Sequence, residues 1–298
     1  MLERISWNLT RKADRFRQAD VVVLSLGKSG RTWLRVMLHQ ALSRELGLPF
    51  DPIRLEPGTS GAPRIVYSHE LATHLRQGTL GTQLVGKAIL PTAIAREKRI
   101  VVLARDPRDV VVSSFHHKSE RSKKTSIGIG EFVRHPRWGI DGLVRVLNRW
   151  RVRFADHPRC HWLRYEDLKR DAAGELARLF AAIEVPVGAA SIEAAVDLAR
   201  FDRMKAAEAA GIHGDVRLRP GDPARPDSFK VRRGQVGGYR DELDPASIAW
   251  LDAAVARLDP AYGYGPRGPS GGIAPGGGRS GDPAARLNRP TRPAPLDA

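Results

Sequence analysis

Apolar residues in this chain gather in short runs that stop at polar turns. Residues 21–26 carry no charge and lead with three valines, which reads as a strand buried on both faces. Similar runs at 64–68, 99–104 and 160–164 predict three more strands. After the turn at 27–30, Trp33, Leu34, Met37, Leu38 and Leu42 recur at helical spacing and predict a helix over about 32–46. Helices are also expected over 91–97, from Pro107 onward, and through 131–156, where Phe132, Trp138, Leu143, Val146, Leu147 and Trp150 keep the period. Two more follow at about 172–183 and 191–198, then a segment at 201–207 and a last helix over 245–258. Residues 80–88 fit neither pattern. Strands separated by helices predict an α/β fold: a three-layer open sheet, mainly parallel, flanked by helices.

At 298 residues and 42% hydrophobic, the chain has room for one large domain plus tails. Residues 20–262 are expected to form that domain. Residues 1–19 read as a basic segment, a weakly amphipathic helix resting on the domain. From 263 the composition turns to Gly, Pro and Arg without periodicity, and 263–298 are expected to be disordered. The formal charge of +16 favours an anionic partner without choosing one. One cysteine, Cys160, excludes an intrachain disulfide framework and fits a reducing compartment. No apolar run is long enough to span a bilayer and the first residues lack a signal-peptide core, so a soluble cytoplasmic protein is expected.

The candidate chemistry follows the strands. Gly27-Lys28-Ser29-Gly30 joins a buried strand to a helix start. Unpaired N–H groups and the helix dipole favour an anion there, and glycines let backbone approach it. Lys28 adds a charge, and Ser29 and Thr32 add hydroxyls. The strict nucleotide-kinase pattern fails, because it needs glycine at position 22 and Val22 stands there. His69 follows the second strand, Arg105 the third and Tyr165 the fourth. Open α/β sheets bind ligands beyond the carboxyl ends of their strands, so the four positions point to one crevice. His69 and His74 are five residues apart and miss one helical face, so no metal site is expected. The basic run 116–124 (HHKSERSKK) reads as a polar loop, either a solvated surface or an acceptor contact.

Three motifs in order carry a resemblance. LGKSGRTWL resembles the 5′-phosphosulfate loop PKSGTTWL of the sulfotransferases that use 3′-phosphoadenosine 5′-phosphosulfate (PAPS). RDPRDVVVSSFHH resembles their 3′-phosphate segment, and VRRGQVGGY their late RKG-type loop. The resemblance covers roughly residues 18–258 and implies a P-loop-like topology. It implies that Lys28 contacts the phosphosulfate, and that Ser29, Gly30, Arg31 and Thr32 hold the 5′ phosphate. Trp33, Phe201 and Tyr165 fall to the adenine, and Arg105, Ser113, Arg232, Arg233 and Gly234 to the 3′ phosphate. His69 is the implied base, with Glu70 in reserve and His74 third. PAPS is the implied cofactor, with a small-molecule, lipid or carbohydrate acceptor and no nucleic-acid partner. The departures are Gly27 for the motif's proline, Arg31 for its first threonine and Arg233 for the late lysine. A nucleotide or sugar kinase and a non-catalytic basic binding module are the rival readings.

Overall fold

The structure is a computed structural model that describes residues 14–52, 55, 61–69, 90–122, 124–211, 229, 233–265 and 268–269. Four parallel strands form the central sheet: β1 (Val21–Ser25), β2 (Ile65–Ser68), β3 (Arg99–Ala104) and β4 (Cys160–Arg164), in the order β2-β1-β3-β4. Val21 sits beside Ile65 on one side and Arg99 on the other, and Ile100 sits beside Cys160. Alternation sends Val22, Leu24, Ile100 and Val102 to one face and Val21, Val23, Val101 and Leu103 to the other. The first face packs against α3 (Pro107–His116), α4 (Ile129–Arg134), α5 (Ile140–Phe154) and α10 (Pro245–Val255). The second packs against α1 (Arg31–Glu45), α7 (Ala172–Ala182) and α8 (Ala189–Leu198). Burial on both faces is why the two central strands, β1 and β3, are valine-rich rather than alternating with charge. The short helices α2 (Thr92–Glu97), α6 (Tyr165–Arg170) and α9 (Phe201–Ala209) complete the layers. The result is the three-layer, parallel α/β architecture expected from the pattern.

Three stretches differ from the pattern reading. The expected helix over 131–156 is two helices, α4 and α5. Pro136 biases the residue before it away from helical angles, and His135 is extended at φ −61°, ψ 129°. Trp138 lies in the break and stacks on His135 with ring centroids 4.5 Å apart. The expected loop at 116–124 is instead helical for its first half: α3 runs into a π-helical turn at His117–Arg121. Lysine, glutamate and arginine are good helix formers, so a basic run does not itself end a helix. Finally, the composition change at 263 separates Tyr264 from the domain, yet Tyr264 is buried and its hydroxyl donates to Glu166 at 2.8 Å. Tyr264–Gly265 (β5) pairs antiparallel with Gly268–Pro269 (β6). Residues 1–13, 80–88 and 270–298 lie outside the described residues.

Helix starts matter for the site. Asp106 caps α3 by accepting from the Arg108 N–H at 2.9 Å, with Pro107 at the first helical position. Asp171 and Asp244 cap α7 and α10 in the same way. The long helix α1 starts differently. Its first turn has no side-chain cap and no acidic residue, and Gly30 at its start is left-handed.

Candidate active site

The strand order places a topological switch at β1, because the chain leaves it toward β2 on one side and β3 lies on the other. A cavity of about 800 Å³ opens there, at the carboxyl ends of the strands. Its walls come from the β1–α1 turn, His69 after β2, Arg105 and the first turns of α3, Tyr165 after β4, α8–α9, and residues 233–242. That volume lies within the range of small-molecule sites. Lys28, Arg31, Arg105, Lys118, Lys169, Arg200 and Arg233 line it, against Asp109, Glu208 and Glu242. Cations dominate.

The β1–α1 turn is shaped to receive an anion. Gly30 has φ 86°, and a Cβ there would stand 2.5 Å from the Tyr165 ring. Only glycine satisfies both the left-handed backbone and the approach of that ring. Lys28 also has positive φ, 74°, which a residue with a Cβ adopts at a cost of about 1–2 kcal/mol. The α1 start has no side-chain cap, and Gly30, Arg31 and Thr32 there line the cavity, an arrangement that suits an oxyanion.

Tyr165 and Trp33 form the apolar wall. Their rings meet edge to face at 5.7 Å, and the Trp33 indole N–H donates to the Ala199 carbonyl at 2.7 Å. Phe201 lies opposite, against Gly234. Gly234 has φ 62°, and a Cβ there would stand 2.8 Å from the Phe201 ring.

Arg105 ties the two phosphate-type loops together. One terminal nitrogen donates to the Lys28 carbonyl at 3.2 Å and the other to the Gln235 carbonyl at 3.0 Å. Its guanidinium stacks 4.4 Å from the Tyr165 ring centroid, and Asp109 stands 3.7 Å away. The Arg105 Nε is buried and has no partner among the described residues. Asp109 in turn accepts from the backbone N–H groups of Gly237 at 2.8 Å and Tyr239 at 3.2 Å, which anchors the late loop on α3. Burial raises the Asp109 pKa. Arg233 pairs with Glu242 at 3.4 Å, and Glu242 also bonds His116.

His69 Nδ1 lies 2.8 Å from the Ser25 carbonyl. A carbonyl only accepts, so Nδ1 carries the hydrogen and Nε2 is the basic nitrogen of the neutral ring. A histidine held in this tautomer presents a proton acceptor at the cavity wall. Behind it all, burial pushes the Glu166 carboxyl up to about 7 while it accepts from the Asp106 N–H at 2.9 Å and the Tyr264 hydroxyl.

The sequence-predicted residues Lys28, Gly30, Arg31, Thr32, Trp33 and His69 meet at this cavity, as do Arg105, Ser113, Tyr165, Phe201, Arg233 and Gly234. Ser29 does not. It is fully buried, its N–H donates to the Leu26 carbonyl at 3.4 Å, and it is no part of the cavity wall. Its hydroxyl is buried and has no hydrogen-bond partner among the described residues. Arg232, Glu70 and His74 lie outside the described residues. Sequence reasoning missed Asp109, Gln235 and Glu242, whose roles are contacts between loops far apart in the chain. Lys118, inside the basic run 116–124 that reads as either a solvated surface or an acceptor contact, lines the cavity.

A parallel sheet with a glycine turn opening an uncapped helix at its switch point defines a phosphate-loop α/β protein. The Sulfotransferase domain family matches residues 18–258, and the chain belongs to that family, whose members draw the sulfuryl group from PAPS. It is 25% identical to cytosolic sulfotransferase 15 of Arabidopsis thaliana over 272 residues, 79% of this chain and 70% of that one. It is 25% identical to human sulfotransferase 2B1 over 278 residues, 86% of this chain and 70% of that one. Among solved structures it shares its fold with mouse sulfotransferase SULT7A1 complexed with PAP, at TM-score 0.58 and 17% identity, covering 85% of this chain and 88% of that one. Retinol dehydratase in complex with androsterone and PAP has TM-score 0.57 at 17% identity, covering 84% of each chain. Among the described residues no helix is long and apolar enough to cross a membrane.

Proposed function

We propose that this protein transfers a sulfuryl group from PAPS to a hydroxyl or amine of a small-molecule acceptor, with His69 as base and Lys28 at the reacting phosphosulfate. PAPS supplies an activated sulfuryl group whose departure leaves negative charge on a phosphate. One observation carries the reading: the cations of both predicted phosphate sites, Lys28 and Arg233, line one cavity with a wall of Trp33, Tyr165 and Phe201 between strand ends. The residues fit the nucleotide. The uncapped α1 start, Lys28 and Thr32 suit the 5′ end. Ser113, Arg233 and the Gly234 backbone suit the 3′ phosphate. The aromatic wall suits the base. Arg105 holds the two loops at a fixed separation through one hydrogen bond from each terminal nitrogen, and its remaining N–H donors suit the 3′ phosphate.

His69 takes the acceptor proton on Nε2, with the Ser25 carbonyl keeping Nδ1 protonated. The Lys28 ammonium, held on the turn beside the helix start, stabilises the charge that gathers on the phosphate. A cytoplasmic location is part of this reading and is supported by the cytosolic relatives.

The test is transfer of labelled sulfate from PAPS to a panel of phenols, alcohols and sugars, read by mass gain. Lys28→Ala and His69→Ala each lower the rate by about 100-fold or more. Only Lys28→Ala also weakens binding of adenosine 3′,5′-bisphosphate. Transfer that survives His69→Ala removes the base assignment. ATP-dependent phosphorylation without sulfate transfer favours a kinase. Salt-steep binding of polyanions without any transfer favours a binding module.

A further inference from the structure

The cations of the cavity are mostly engaged. Arg105 donates to two backbone carbonyls and faces Asp109 at 3.7 Å, Arg233 pairs with Glu242, and Arg200 stands 3.4 Å from Asp202. Lys169 lies over the Trp33 ring at 5.6 Å and Lys118 over the Trp138 ring at 4.8 Å. Arg31 differs. Among the described residues no carboxylate pairs with it and no hydrogen bond engages its guanidinium. Its charged neighbour is Arg35, one turn along α1, which stacks 4.1 Å above the Tyr67 ring. Burial, then Arg35, bring the Arg31 pKa down to about 10. Arg31 and the Tyr67 hydroxyl perturb each other, so Arg31 sits beside β2, the strand that ends at His69. A part-buried cation next to a like charge, without a counter-ion among the described residues, is an unfavourable arrangement unless an anion completes it.

Resting on the sulfotransferase reading, we propose that Arg31 binds an anionic group of the acceptor. The acceptor is then a small molecule that carries a carboxylate or phosphate besides the hydroxyl or amine that is sulfated. Three points support this over a donor role. In the sulfotransferase reading the α1 start, Lys28 and Thr32 are assigned to the donor's 5′ end. Arg31 stands where the motif has a threonine. It lines the same cavity as His69, and its nearest interacting groups are Arg35 and Tyr67 of β2, the strand that precedes His69.

The experiment uses matched acceptors that differ only in charge: 3-(4-hydroxyphenyl)propionate against its methyl ester, and 12-hydroxydodecanoate against its methyl ester. Hydroquinone monophosphate is added to separate phosphate from carboxylate recognition. Each is tested for binding to the enzyme–PAP complex by calorimetry and for sulfation by mass. The expected result is that the charged member of at least one pair, or the phosphate monoester, is preferred. Arg31→Thr should lower that preference by about tenfold to a hundredfold, as loss of a charge-assisted contact does, while Arg31→Lys retains part of it. Affinity for PAP itself stays within about twofold in both variants if the anion belongs to the acceptor. The inference is overturned if the esters are bound or sulfated as well as the acids, or if none of the probes binds. It is overturned equally if Arg31→Thr weakens PAP, which would return Arg31 to the donor. Wild-type enzyme that binds no PAP defeats the sulfotransferase reading itself, so the two failures are told apart in one titration.

Discussion

Lys28 occupies a left-handed backbone position, φ 74°, that glycine would hold without strain. Strain of this kind persists where function requires the side chain. The account predicts that Lys28→Gly and Lys28→Ala are equally inactive, having both lost the ammonium. Lys28→Gly should nevertheless be the more stable of the two by about 1 kcal/mol, read from urea unfolding, because only alanine keeps the clash. Equal stabilities would mean that the turn relaxes to ordinary angles. At this scale much of the site was legible in the sequence. Lys28, Gly30, Thr32 and His69 stand out because glycine spacing and strand ends are local signals. Ser29 is less legible, because a motif records which residues are present and not which way the turn faces each one; its buried hydroxyl has no partner among the described residues. The backbone groups that Asp109 anchors, Gly237 and Tyr239, and the His116 partner of Glu242 are more than a hundred residues away in the chain, so these contacts give no local signal.

Among the elements, α3 connects the sheet to the site, and its start is an ionic cluster. Arg108 is fully buried, paired with Asp106 at 2.7 Å and Asp252 at 2.5 Å, and donates to the Gly265 carbonyl at 2.8 Å. It thereby links α3, α10 and the β5 segment. Arg108→Ala leaves the buried Asp106 charge without its partner, and should cost about 3–5 kcal/mol by denaturant unfolding. A loss below 1 kcal/mol would mean that water enters and the cluster is not structural. Element boundaries followed the apolar pattern closely at β1 and β3, whose runs are buried on both faces, and also at β4, which is half-buried over its first three residues. They failed at α4–α5, where the apolar period continues across Pro136 and hides a break in the backbone. They failed again at His117–Arg121, where polarity was taken for irregular structure. Tyr264 escaped because one aromatic residue among glycines and prolines gives no period.

For the molecule as a whole, two buried groups give stability opposite slopes with pH. Burial raises the Glu166 pKa to about 7 from the ordinary 4.5, so its contribution is full below 4.5 and is lost as pH rises through 7. Burial lowers the His39 pKa to about 4 from 6.5, so its contribution is full above 6.5 and is lost as pH falls through 4. Between pH 4.5 and 6.5 the two oppose each other. Glu166→Gln removes one side. Its stability should fall more steeply than wild type as pH drops through that window, by about 1.4 kcal/mol per pH unit, in urea titrations at several pH values. Parallel curves for the two proteins would place the Glu166 pKa at its ordinary value.

The central claim concerns the same scale: one cavity, walled by strand ends, holds both phosphates of a single nucleotide. Calorimetric titration of the full chain with adenosine 3′,5′-bisphosphate, 5′-AMP and 3′-AMP tests it directly. The account predicts one site, with the bisphosphate bound more tightly than either monophosphate. Lys28→Ala should weaken the ligands that carry a 5′ phosphate, and Arg233→Ala those that carry a 3′ phosphate, each by about tenfold or more. Bisphosphate affinity no better than that of the monophosphates, or no binding at all, would contradict it.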